Sequence, residues 1–346
     1  MKQKTKKRIA WLVILAGLMG LAVALYINIM GGKQTYRGTL LLVALLLLVT
    51  GLYFMPTKKH KTIMNILFLT PMVFAFVLTV IVPFTMGVFY SFTDWDGIKY
   101  TEFLGLDNYI RMFTQADYIY SLLVTFIFTI ANMLAVNVVA FSLALLCTSK
   151  IKGKNLYRAA FFLPNLIGGI VLGYVWQFIF NKVLVDIFIG NISMLANPNL
   201  AFVAILIVST WQYAGYIMMI YVTGLQSVPK DVVEASGVDG ANHWTTLFKI
   251  KLPMIANTFT VCIFLTIVNS FKQFDLNIAL TNGAPSRIFG EEIVASTEFL
   301  ALNIYNTAIA RNQYAMGQTK AVVFFIILAA VSLTQVAISK KREVEM

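Results

Sequence analysis

Charge is what this chain has least of. Asp, Glu, Lys and Arg make up 12% of its 346 residues, against about a quarter in a soluble protein whose surface must face water. Acidic residues are the scarcer kind, 15 against 27 basic ones, which leaves a formal net charge of +12. The basic residues stand in short clusters between apolar runs, a placement that suits an anionic membrane leaflet and not nucleic acid. Only two cysteines occur, Cys147 and Cys262, each inside an apolar run, so no disulfide framework is implied. The histidines, His60 and His243, have no Cys, His or carboxylate neighbours at ligand spacing, and no metal site is expected. A phosphate loop is also missing: Gly153-Lys154 lacks both the glycine-rich lead and the following hydroxyl residue. With no nucleophile elbow and no paired carboxylates in a plausible cleft, neither an enzyme nor a bound cofactor is expected.

What the chain has instead is apolar length. Crossing a bilayer core takes about 20 largely apolar residues at about 1.5 Å each. Uncharged runs extend from Ile9 to Ile29, Thr62 to Thr93, Tyr118 to Ser149 and Ala159 to Asn181. Leu200 to Gly224 follows the turn-like Asn197-Pro198-Asn199, then come Leu252 to Phe271, with a possible extension to Leu280, and Ala321 to Ser339. Thr39 to Met55 is shorter, but it is Leu-rich and lies between basic loops. These give an all-α, polytopic membrane helical bundle of about eight spans. The expected division is 1–61, an N-terminal pair of helices, and 62–346, a six-helix core. Met1 to Arg8 ahead of an apolar run has the outline of a signal peptide, yet no small-x-small site precedes Gly31-Gly32. An uncleaved first helix is the expectation. Basic clusters at Lys2 to Arg8, Lys58 to Lys61, Lys150 to Arg158 and Lys340 to Arg342 all fall on one side of such a bundle. The positive-inside rule makes that side the cytoplasm and places both termini there.

Between the sixth and seventh spans, Leu225 to Lys251 carries mixed charge, unlike the other inner loops. Pro229 suits the start of a helix, with Asp231 and Glu234 near its positive end. Gly237 and Gly240 interrupt it, a second short helix fits Asn242 to Lys249, and Pro253 stands where the chain re-enters the membrane. The pattern predicts a helix-turn-helix along the inner face. Glu234-Ala235-Ser236, then Gly240 after three residues, then Ile250, Leu252 and Pro253 after nine more, resembles the EAA loop of binding-protein-dependent ABC importers. Ser236 replaces the usual Ala and is small enough for the same packing. Ser91 to Trp95, Gly105 to Tyr109, Tyr157 to Pro164, Gly224 to Pro229 and Phe274 to Leu276, followed by the turn Thr281 to Pro285, are similar to the carbohydrate permeases of that group. The likeness covers roughly residues 62 to 342.

This resemblance implies a permease subunit without a nucleotide site of its own, importing a sugar, an oligosaccharide above all, across a bacterial cell membrane by alternating access. It implies a second homologous permease subunit, two cytoplasmic ATPase subunits and an extracytoplasmic solute-binding protein as partners, with membrane lipid around the bundle. The loop 225–253 becomes the coupling element, with Glu234 as its polar anchor and Gly240 as its bend. Polar side chains inside spans are the candidates for a solute pathway: Gln212, Tyr213 and Tyr216 in the sixth, and Asn269, Ser270 and Gln273 in and after the seventh. Amides and phenols at those places can bond sugar hydroxyls, although such residues also join neighbouring helices. Lys272 and Asp275 are spaced to pair on one helix face. The outer stretch Glu291 to Ala310 has an amphipathic helical look and is a candidate for docking the binding protein. Alternative readings are an importer of a polyol, a sialic acid or a glycerol phosphate, and an ion-coupled secondary transporter.

Overall fold

The computed structural model describes residues 2–29, 37–54, 60–149, 151–189 and 193–340. Gly31-Gly32, Lys58, Lys59, Lys150, Lys341 and Arg342 lie outside the described residues. By internal contacts the chain divides into two units, Met1–Met86 and Gly87–Met346.

The first unit opens with two helices, α1 (Lys2–Ile29) and α2 (Arg37–Tyr53), packed as a hairpin. Small residues let their backbones approach closely: Gly17 sits against Leu48, Gly51 against Ile14, and Ala10, Ala24 and Ala44 are buried. Small contact residues are the expected device in lipid, where apolar side chains gain nothing by leaving the tails. Next, α3 (His60–Phe76) carries Pro71 inside it. A π-helical turn, Val77–Ile81, joins it to α4 (Val82–Tyr90).

In the second unit, α5 (Asp107–Met112) follows an aromatic-rich loop. The long α6 (Ala116–Thr148) and α9 (Pro198–Ser227) form the centre of the unit. Phe128, Val136, Ala140 and Ala144 of α6 share buried clusters with Ile205, Val208, Ala214 and Ile217 of α9. The start of α9 is set locally: Asn197 Oδ1 accepts the backbone N–H groups of Asn199 at 2.9 Å and Leu200 at 3.3 Å, and Pro198 fills the first helical position. Between α6 and α9, α7 (Lys154–Phe162) ends in a 3-10 turn, Leu163–Leu166, that contains Pro164. The chain then restarts as α8 (Gly169–Phe178), continued by π turns to Ile189. The apolar run read as Ala159 to Asn181 is therefore broken near its beginning, and its span is Gly169–Ile187.

Four short pieces follow α9: α10 (Lys230–Val238), α11 (His243–Thr246), a π turn Leu247–Lys251, and α12 (Leu252–Met254). The chain bends by 72° between His243–Met254 and α13 (Ala256–Phe271). After a break at 272–274 comes α14 (Asp275–Leu280), which lies on α8 with Gly173 facing Ala279. Gln177 Nε2 donates to the Leu280 carbonyl at 3.1 Å. This break corrects the expected Lys272–Asp275 pair. Lys272 lies in the interruption and Asp275 opens α14; both are exposed, and no ion pair joins them. The outer segment also departs from expectation. Instead of one helix from Glu291, it forms an antiparallel hairpin, β1 (Ser286–Phe289) and β2 (Glu292–Ala295), before α15 (Leu300–Tyr305) and a π turn to Ala310. The final helix is α16 (Tyr314–Lys340), whose N-terminal turns precede the expected start at Ala321.

Among the described residues six helices are long and apolar enough to cross a membrane, or seven if the bent pair is one span. Gly38–Tyr53 is a shorter apolar helix. The all-α membrane bundle is thus observed, with one small hairpin added.

Candidate functional site

The cytoplasm-assigned loop folds as a helix-turn-helix. Pro229 stands at the N-cap of α10, with Asp231 in the first turn. Three bonds close the turn: Asp239 N–H donates to Ala235 O at 3.0 Å, Gly240 N–H to Gly237 O at 3.2 Å, and Ala241 N–H to Ser236 O at 2.9 Å. Gly240 takes φ +80°, a left-handed conformation that costs a side-chain-bearing residue about 1–2 kcal/mol. Nothing lies within 4 Å of where its Cβ would be, so the glycine is needed for backbone angle and not for space. Asn242 then caps α11, its Oδ1 accepting from Thr245 N–H at 2.8 Å.

Ser236, the departure from the usual Ala, is buried. Its Oγ donates to Val233 O at 2.7 Å and lies 3.3 Å from Thr246 Oγ1. The hydroxyl thus bonds within α10 and reaches across to α11. Glu234 and Ala235, by contrast, are exposed. Beside them three large apolar side chains face outward: Val238 at 89%, Trp244 at 65% and Phe248 at 58% exposure. Trp244 and Phe248 stack with ring centroids 5.9 Å apart. An exposed carboxylate and a bare aromatic pair on one short helix-turn-helix have the composition of a protein contact. Ile250 and Leu252 are half-buried, and Pro253 lies in the short α12 that leads to the bend.

The intramembrane candidates separate by role. Gln212 is buried on α9, and its Nε2 donates to the Ile167 carbonyl at 3.3 Å, in the interruption between α7 and α8. Ser270 is buried and joins helices: it accepts from Asn132 Nδ2 at 2.8 Å and donates to Thr266 O at 2.7 Å. Gln273 lies past the end of α13, buried, with its Nε2 lacking a hydrogen-bond partner among the described residues. Tyr213, Tyr216 and Asn269 are half-buried, and Asn269 makes no side-chain hydrogen bond among the described residues. Gly215 brings α9 against α7, since a Cβ there would collide with the Phe161 carbonyl.

Two polar networks escaped sequence reasoning. Tyr221 OH donates to Asn137 Oδ1 at 2.7 Å, and Asn137 Nδ2 donates to Thr266 Oγ1 at 3.1 Å, tying α9, α6 and α13 together. The amides Asn132 and Asn137 inside an apolar run were the available signal. Near the N-terminal end of α16, Lys320 is fully buried and donates to Asn303 Oδ1 and Thr307 Oγ1, each at 2.9 Å. Asn306 Nδ2 donates to the buried Glu298 at 2.6 Å, and Arg311 bridges to Asp117 at 2.6 Å. Lys320 stood just outside the run read as a span, which hid it. Among the described residues no group of His, Cys, Asp and Glu is placed to hold a metal.

Residues 140–343 match the family described as "Binding-protein-dependent transport system inner membrane component". The probable starch degradation products transport system permease protein AmyD of Thermoanaerobacterium thermosulfurigenes is 43% identical over 289 residues, 81% of this chain and 95% of that protein. The multiple sugar-binding transport system permease protein MsmF of Streptococcus mutans is 32% identical over 269 residues, covering 76% and 90%. A chain of a bacterial ABC transporter involved in the import of the acidic polysaccharide alginate superposes with a TM-score of 0.70, over 82% of this chain and 97% of that one. At 16% identity this last likeness shows the fold alone. Sequence match, helical fold and helix-turn-helix agree: the chain belongs to the family of inner membrane components of binding-protein-dependent transport systems, and is a membrane-spanning permease subunit of an ABC transport system.

Proposed function

We propose that this permease imports a sugar, an oligosaccharide above all, and that the loop 225–253 couples it to cytoplasmic ATPase subunits. The observation that carries the coupling role is the outward-facing Val238, Trp244 and Phe248 beside the exposed Glu234, on a turn fixed by Gly240. The sugar assignment rests on relatives whose names specify starch degradation products and multiple sugars. In this reading a second related permease completes the pathway. Two ATPase subunits supply the energy, and closure of that pair moves the helix-turn-helix as a rigid body, switching the pathway between its two sides. Both termini are cytoplasmic. Gln212, Tyr213, Tyr216, Asn269 and Gln273 form the polar layer through which solute passes, and Ser270 holds α13 to α6 beside it. On the far side, the β1–β2 hairpin presents Ile288 and Ile293 side by side and exposed, and it is our candidate for contact with the solute-binding protein.

The test is purification of the tagged chain from its own membranes, as wild type and as Glu234→Ala, Trp244→Ala and Gly240→Pro. An ATPase should accompany wild type and be lost or weakened in the variants. No ATPase with wild type, even after cross-linking, would falsify the coupling role. The cargo is tested by uptake in the reconstituted complex, where competition by malto-oligosaccharides is expected. Competition by glycerol 3-phosphate alone would transfer the assignment to the cargo named for relatives 27% identical to this chain.

A further inference from the structure

A groove of about 570 Å³ runs between α7 and α9. Asn155, Arg158 and Phe162 line it from α7; Tyr216, Ile220 and Thr223 line it from α9. Each set recurs at three to four residues, so the groove is made by one face of each helix. Its volume falls in the usual range for small-molecule sites, about 300–1,000 Å³. It includes Tyr216, one of the six pathway candidates, and follows α9 from there toward Thr223, near the end that leads into the helix-turn-helix.

Its chemistry is uneven in an informative way. The walls are mostly apolar, with an aromatic ring on each side, Phe162 and Tyr216. A lipid tail would suit those walls and Thr223, whose hydroxyl bonds the Met219 carbonyl at 3.0 Å, but it would offer nothing to Asn155 or to the free donors of Arg158. The Arg158 guanidinium makes one hydrogen bond among the described residues, NH2 donating to the Cys147 carbonyl at 2.9 Å. Its Nε is buried and has no partner among the described residues. A guanidinium has five N–H donors in a rigid fork, and a fork with one tine anchored is held in orientation while its others stay uncommitted. Aromatic side chains on both walls with a held multiple donor in the same groove match a ring whose faces are apolar and whose rim carries vicinal hydroxyls.

We propose that this groove is a solute subsite in the cytoplasmic half of the pathway. It holds one ring of a polyhydroxylated chain against Tyr216 and Phe162, with Arg158 donating to ring hydroxyls. This rests on the sugar reading given above and extends it: the site takes a unit beyond the polar layer, and so favours longer solutes.

The test uses the complete transporter in proteoliposomes with a graded series of malto-oligosaccharides. Arg158→Met is expected to raise KM about tenfold for the longer members, the loss expected for a charge-assisted hydrogen bond, and to change KM for maltose little. Arg158→Lys keeps a donor for the Cys147 carbonyl but not the fork, and is expected to recover assembly without recovering the preference for length. Ile220→Trp fills the groove and should lower the longest member carried. An Arg158→Met effect that is equal across the series, or one that Arg158→Lys fully reverses, overturns the subsite and leaves Arg158 as a cap on α6. Asn155→Cys adds a direct readout, since its alkylation should slow when oligosaccharide is present. If wild type carries no member of the series, the sugar reading fails and the subsite falls with it. Uptake by wild type with a flat Arg158 series removes the subsite alone.

Discussion

At Gly240 the coupling turn needs a backbone angle that other residues reach only at a cost. Gly240→Ala should cost about 1–2 kcal/mol in the turn, read as weaker retention of the ATPase on washing. Gly240→Asn, a side chain that tolerates the left-handed region, should be milder. Ser236→Ala restores the family's usual residue and removes the contact with Thr246, so its cost should stay near about 1 kcal/mol, with coupling intact. A larger loss would mean that Ser236 touches the partner. The heavier residue is Lys320. Lys320→Met would leave Asn303 and Thr307 without the buried ammonium that donates to them, at about 1–3 kcal/mol for each unpaired group, and would take a positive charge away from Glu298. The purified complex should melt at lower temperature, and adding Glu298→Gln should return part of the loss. Additive effects of the two substitutions would show that these charges are not coupled.

Among the elements, the loop between α4 and α5 is bound by side chains. Asp94 accepts the N–H groups of Thr101 at 2.8 Å and Glu102 at 2.9 Å, and Asp96 accepts those of Ile98 and Lys99, both at 2.9 Å. These bonds favour the charged carboxylates and hold both below the ordinary aspartate range. A group depressed on folding contributes stability above its unfolded pKa and loses it as pH falls through the folded value. The loop amides should therefore be protected from hydrogen exchange at neutral pH and lose protection below about pH 4. Asp94→Asn should remove most of that pH dependence, and an unchanged profile in this variant would count against the carboxylate's role. Elements like this also mark where sequence reading stops. The long helices were legible because some 20 uncharged apolar residues in a row suit a bilayer and little else. The helix-turn-helix was legible because Pro229, Gly240 and Pro253 punctuate it. The interruption at 272–274 was not, since Phe271 to Phe274 has neither Gly nor Pro to announce it. The β1–β2 hairpin was misread because alternation over four residues is too short to exclude a helical period. The pathway candidates were found as polar exceptions in apolar runs. That signal could not separate Ser270, which joins helices, from Tyr216, which lines a groove.

For the whole molecule, the compact α1–α2 hairpin bears on orientation. Gly17, Gly20 and Gly51 close it against its own partner helix, so its packing does not wait for the later spans. A chain beginning at residue 62 should still assemble with its ATPase, which co-purification would check; failure would make the hairpin part of the core. With α2 counted as a span beside the longer α1, as the eight-span reading has it, the hairpin crosses the bilayer twice, and two crossings return the chain to the side where it began. Its presence is therefore a matter of parity: removing both helices leaves every later span facing as before, while removing α2 alone reverses the sense of each crossing that follows. A single missing helix would carry Glu234 and Trp244 to the outer surface, where no ATPase can reach them.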